Sequence, residues 1–249
     1  MSESNKRNFI VHGSILAIAG ILVRIIGMLY RIPVVNIIGS EGNGIYGAAF
    51  NIYNIMLVLS SYGLPMAVSK LVSARFTKKR YKSAAKVLRC SLMVAVCTGG
   101  IAALLVFFGA SFIENVIYGG GLPGLAVPLR ILAPTIFLVA ILGVIRGFFQ
   151  GQSTMIPTAV SQILEQIVNA IVSIAAGYGM MKAFASLPDV AAYGAAGSTL
   201  GTAMGALTAV LFMGFLYAVY TPTFNRLKRK DRHTENQSTG QICKIIIYT

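Results

Sequence analysis

FIVHGSILAIAGILVRIIGMLYRIPVVNII, residues 9–38, is long and apolar enough to cross a bilayer, which takes about 20 mostly apolar residues. Yet Arg24 and Arg31 lie inside it. A charge at mid-bilayer costs roughly 2.5–3.5 kcal/mol on insertion scales, so both guanidinium groups need protein or water beside them. Their i, i+7 spacing puts them on nearly one face, about 10 Å apart along the axis. The stretch predicts a membrane helix with a positive stripe turned toward an interior that the rest of the chain supplies.

The whole composition agrees. The 249 residues are 56% hydrophobic and only 11% charged, with a mean hydropathy of +0.74. A soluble domain carries about 25% charged residues. So much apolar surface implies an all-α protein of several crossings. The net charge of +14 does not point to nucleic acid, because the bases sit in short segments between apolar spans, as the positive-inside rule describes. Membrane lipids are therefore the expected surroundings, and no nucleic-acid partner is expected. His12 and His233 stand far apart, and Cys90, Cys97 and Cys243 form no CxxC pair. The pattern suggests no metal site and no cofactor.

Taken in order, residues 1–8 are polar and read as a cytoplasmic N-terminus. Six spans follow, at about 9–33, 45–68, 84–108, 125–149, 156–181 and 193–220. Residues 40–44 and 113–124 lack bases and read as external turns, and 182–192 is external too. The densest basic run, from Lys70 to Arg89, marks the cytoplasmic side and meets anionic headgroups, with a substrate-phosphate role as the alternative. Gly197, Gly201 and Gly205 repeat at i+4 and predict a close helix approach. Residues 221–241 form a basic cytoplasmic segment. Residues 242–249 look like the start of a seventh helix too short to span. Both termini are expected in the cytoplasm.

Polar residues inside the spans are the functional candidates. Gln162, Glu165, Gln166, Asn169 and Ser173 share one face of the fifth span. Glu165 is the one acid within any span. Three readings stand for it: a proton- or cation-coupling carboxylate, a partner for an arginine of the first span, or part of a structural network between helices. Asn51 and Asn54 add a polar pair on the second span. Arg24 lies about 22 Å along its helix, inside the hydrocarbon slab, whereas Arg31 is near enough to the outer surface to snorkel. Arg146 is read as snorkelling to headgroups, and Arg130 stays open between that and a cavity role. An arginine fork pairs two-pronged with phosphate or carboxylate oxygens, which suits an anionic ligand.

Residues 24–75 (RIIGMLYRIPVVNIIGSEGNGIYGAAFNIYNIMLVLSSYGLPMAVSKLVSAR) and 146–173 (RGFFQGQSTMIPTAVSQILEQIVNAIVS) closely resemble polysaccharide biosynthesis proteins of the stage V sporulation protein B type. These belong to the multidrug/oligosaccharidyl-lipid/polysaccharide flippase superfamily, with MATE-like transporters and lipid II flippases. The resemblance implies a six-helix bundle equivalent to the N-terminal lobe of a V-shaped transporter. It implies alternating access and a lipid-linked oligosaccharide or polysaccharide precursor as substrate, with Arg24 and Arg31 on its pyrophosphate. From their places on the polar helix faces, Asn51 and Asn54 are further substrate-binding candidates, and Glu165, Gln162, Gln166 and Asn169 are coupling or cavity polar groups for a proton or sodium ion. Members carry a second bundle, so the chain matches one half of the family pattern. A cation-coupled multidrug exporter and a non-transporting membrane module are the competing readings. An enzyme is not expected, because no triad, paired carboxylates or metal cluster can be discerned.

Overall fold

The computed structural model describes residues 3–231 together with Gly240, Ile242 and Ile246, with side chains from residue 13 onward. The described elements are helical: α1 (Glu3–Ser61), α2 (Leu64–Thr77), α3 (Tyr81–Phe112), a π-helical turn (Ile113–Ile117), α4 (Ala126–Gly151), α5 (Ile156–Ala183) and α6 (Val190–Lys230). Five helical stretches are long and apolar enough to cross a membrane, the first of them 65 residues long.

That first stretch is too long for one crossing, and α1 supplies two. Gly39 has φ 71° and ψ −177°, a conformation open in practice to glycine alone. In a straight helix Arg31 and Tyr46 would stand about 22 Å apart. Instead, the Arg31 guanidinium carbon lies 5.8 Å from the centre of the Tyr46 ring. The chain doubles back, and the turn expected at 40–44 is a one-residue reversal at Gly39.

The second crossing is also built from two pieces. It breaks at Tyr62 and Gly63, and α2 restarts with Pro65 in its first turn. Proline has no N–H to give an earlier carbonyl, and it biases its predecessor away from the helical region. Here the break is used in packing. A Cβ on Gly147 would stand 2.5 Å from the Pro65 carbonyl oxygen, and one on Gly151 2.7 Å from Val72 Cβ. Gly143, Gly147 and Gly151 thus form a groove on α4 that receives α2.

The glycine row on α6 plays the same part toward α5. A Cβ at Gly197 would run into the Ala176 carbonyl oxygen, and one at Gly205 would meet the Glu165 carbonyl oxygen at 2.6 Å. At Gly201 the nearest atom is Ser173 Oγ, with the Asn169 carbonyl oxygen at 2.5 Å. Between these contacts, Ser173 Oγ donates to the Ser198 carbonyl at 2.8 Å.

Two elements extend beyond the spans read from the sequence. α6 does not stop near residue 220 but runs through Pro222 to Lys230. Phe224 is buried at 1% exposure and stacks on Phe76 with centroids 6.1 Å apart, and this packing outweighs one lost backbone bond. The expected turn at 113–124 begins as the π-helical turn. There the Glu114 carboxylate accepts the Gly124 and Ala126 backbone N–H groups at 3.0 and 2.7 Å. An acid at a helix N-terminus satisfies orphan donors and the dipole together. The expected start of a seventh helix lies mostly outside the described residues, although Ile242 and Ile246 are helical and buried. His12, as a side chain, His233 and Cys243 lie outside them too.

The outer surface is apolar. Phe108 and Met66 are each 76% exposed and Leu59 75%, while Ser91, Thr135, Ser161 and Ser173 are buried. This arrangement suits lipid as solvent: side chains facing hydrocarbon are apolar, and buried hydroxyls bond to backbone carbonyls, Thr135 within its own helix and Ser173 across to α6. The chain is a multi-pass membrane protein. Replacing Gly201 by Ala should cost about 1–3 kcal/mol through overpacking, whereas Gly179→Ala, which meets open space, should not destabilise the fold. Melting curves in detergent micelles check both.

Candidate anion-binding site

Arg24 and Arg31 both lie on the surface of the bundle, and so do Asn51 and Asn54. The hairpin register relates them. Arg31 sits over Tyr46, so seven residues back along one arm and seven on along the other bring Arg24 to about the level of Tyr53. Asn51 and Asn54 flank Tyr53 on the exposed side. Arg24 and the two asparagines therefore share one depth, with Arg31 nearer the Gly39 reversal. Among the described residues, neither arginine forms an ion pair.

Glu165 is not matched to the first crossing. Its Oε2 accepts from Arg146 Nη2 at 2.7 Å, with side-chain exposures of 15% for Arg146 and 26% for Glu165. Arg146 Nε also donates to Ser161 Oγ at 2.9 Å, and Ser161 in turn donates to the Thr158 carbonyl at 2.8 Å. The expectation that Arg146 snorkels to the headgroups is therefore corrected. Its long side chain reaches across to α5 instead, because a carboxylate in a span is an even stronger attractor than the interface. Of the readings open for Glu165, the contacts match a network between helices. Arg130 donates to Ser111 Oγ at 2.9 Å in an exposed position.

Asn169, 7% exposed, is the hub of a neutral network. Its Nδ2 donates to the Tyr30 hydroxyl at 3.2 Å and to Gln166 Oε1 at 3.1 Å. Ser173 Oγ and Thr202 Oγ1 lie 2.9 and 3.4 Å from its Oδ1. The hub thereby ties α1, α5 and α6 together. Gln166 reaches α1 at Gly27, where an added Cβ would stand 3.2 Å from its Nε2. Arg24 and Arg31 sit about 50° round the helix from Gly27, both to the same side. The arginines thus border the seam between α1 and α5 rather than filling it. Gln162 is half-buried on the same helix.

The sequence signals for Gln166 and Asn169 came from their helical spacing. The Arg146–Glu165 pair had no such signal, since its members are on different helices. Among the described residues, no three His, Cys, Asp or Glu side chains lie close enough to hold a metal ion.

The family described as "Polysaccharide biosynthesis protein" matches residues 10–240. The chain belongs to that family. It is 34% identical over 176 residues to the lipid II flippase MurJ of Bacillus subtilis (strain 168), covering 68% of this chain and 32% of the flippase. Stage V sporulation protein B of the same organism is 31% identical over 209 residues, covering 84% of this chain and 39% of that protein. The backbone superposes on a MOP superfamily transporter from Pyrococcus furiosus with a TM-score of 0.69 at 16% identity, covering 94% of this chain and 49% of the transporter. The fold is that of one half of a MOP-type transporter. The chain spans less than half the length of each of these three proteins.

The ion pair and the arginine stripe can be separated by mutation. Arg146→Leu leaves Glu165 without its partner and should cost about 1–3 kcal/mol. Glu165→Leu combined with it should restore most of that loss. A double-mutant cycle on melting temperature measures the coupling.

Proposed function

We propose that this polypeptide takes part in moving a lipid-linked oligosaccharide or polysaccharide precursor across the membrane, with Arg24 and Arg31 holding the anionic phosphates of its headgroup. One observation carries the reading. Two arginines a heptad apart stand on the exposed face of a membrane-crossing helix, without an acidic partner among the described residues. Leaving such charges uncompensated within a bilayer is costly, and an anionic ligand removes that cost when it binds. Asn51 and Asn54, at the depth of Arg24, supply neutral donors to the sugar or phosphate oxygens. The named activity of the MurJ relative supports the same class of substrate.

The mechanism follows from the placement. A headgroup enters the wet side of the α1 face while its lipid tail stays in hydrocarbon. The arginines replace part of its hydration shell, and alternating exposure of this face to the two sides carries the headgroup across with no covalent step. The opposite wall comes from a second bundle of the kind that its longer relatives have room for. The ends rich in Lys and Arg face the cytoplasm, following the positive-inside rule. Coupling to a proton or sodium ion requires a carboxylate free to exchange its partner. Glu165 is bonded to Arg146, so a coupling proton or sodium ion would have to displace that guanidinium from it. The same bond weighs against a site for cationic drugs.

The experiment is translocation of a fluorescent polyprenyl-pyrophosphate glycan in proteoliposomes. Replacing Arg24 and Arg31 together by Ala should reduce headgroup translocation and binding at least tenfold, since each lost charged hydrogen bond is worth about 1.5–3 kcal/mol. Unchanged binding in that variant rejects the assignment.

A further inference from the structure

Arg146 and Arg31 both belong to membrane-crossing helices, but they are held in different ways. A carboxylate holds Arg146, which spends its charge and an Nη donor on Glu165. An aromatic face holds Arg31, whose guanidinium carbon stands 5.8 Å from the centre of the Tyr46 ring. A ring attracts a cation through its quadrupole, within about 6 Å of the centroid, and neutralises none of the charge. Arg31 is thus restrained while its donor fork meets no acid among the described residues.

The ring is itself fixed from behind. Tyr46 is 5% exposed. Phe50, one turn on, packs against it with centroids 4.5 Å apart, and Phe50 meets Tyr53 edge-on at 5.6 Å. Tyr30 lies beside the Tyr46 hydroxyl, and the Tyr30 hydroxyl accepts from Asn169 Nδ2 at 3.2 Å. The Tyr46 ring is therefore locked between its own arm of α1 and the amide hub. The reversal at Gly39 brings ring and guanidinium to the same level.

A long, exposed arginine loses rotamer freedom when it binds a ligand, and a seat that restricts it beforehand reduces that cost. A carboxylate seat also restricts it, but competes with phosphate for the same two-pronged donors. An aromatic seat restricts without competing. We propose that Tyr46 is a positioning residue of the anion site: it fixes the Arg31 guanidinium before the ligand arrives and leaves the N–H donors to the phosphate. The inference rests on the substrate reading of Arg24 and Arg31 and deepens it.

The test separates a ring that only packs from a ring that attracts a cation. The full chain is placed in nanodiscs of dioleoyl phosphatidylcholine, and the dissociation constant of a fluorescent polyprenyl-pyrophosphate glycan is measured. Tyr46→Phe is compared with the same substitution carrying one, two and three ring fluorines. Fluorine withdraws electron density from the ring face and barely alters its shape, so packing and folding are kept while cation attraction falls. Binding should weaken stepwise, by about threefold across the series. In the Arg31→Ala background, where Arg24 still holds the ligand, the series should be flat. A flat series in a chain whose binding Arg31→Ala does weaken overturns the role of Tyr46 and leaves the substrate reading standing. So does a slope that persists without Arg31. Binding unchanged by Arg31→Ala alone rejects the substrate assignment of that arginine, and the role of Tyr46 falls with it.

Discussion

The contact between α5 and α6 is the constraint on which the rest of the bundle depends. Lipid gives apolar helices no reason to leave it for one another, so association in a membrane must come from close packing and from hydrogen bonds. The glycines at 197, 201 and 205 let the two backbones approach until Ser173 reaches the Ser198 carbonyl. That closeness brings Asn169 within reach of Thr202 on one side and Tyr30 on the other. Through Tyr30 the first crossing is fixed, and with it the direction in which Arg24 and Arg31 look.

Charge is distributed by the same logic. The carboxylate of Glu165 is half-buried on α5 and is answered by Arg146 with a short bond. The amide hub at Asn169 carries no net charge. Among the described residues, Arg24 and Arg31 are left without an acidic partner on one side of α1. A site for an anion needs such a remainder, and the internal pairing of the acid preserves it.

Much of the architecture was legible because hydrophobic length and basic segments are one-dimensional signals. The row at Gly197, Gly201 and Gly205 could be read for the same reason: one helix face carries the whole pattern. Features formed by two distant segments could not be read. The groove at Gly143, Gly147 and Gly151 has meaning only once Pro65 sits in it. Arg146 looks like an interface anchor until Glu165 is beside it. The extra turns of α6 follow from the stacking of Phe224 on Phe76, a contact spanning more than half the chain. The reversal at Gly39 was misplaced by a few residues because the Ser-Glu-Gly-Asn-Gly run has the stronger turn composition, yet it stays helical. The arginines were legible as residues out of place in hydrocarbon. Their bordering of the α1–α5 seam was not, since it depends on where Gln166 touches Gly27.

The one-residue reversal at Gly39 has a consequence for biogenesis. With no loop between them, the first two crossings cannot be threaded into the bilayer one after the other with a pause between. They must leave the insertion machinery as a paired hairpin. Arg31 then reaches the lipid with its guanidinium already beside the Tyr46 ring, so a residue that an isolated helix would struggle to insert arrives with one favourable contact made.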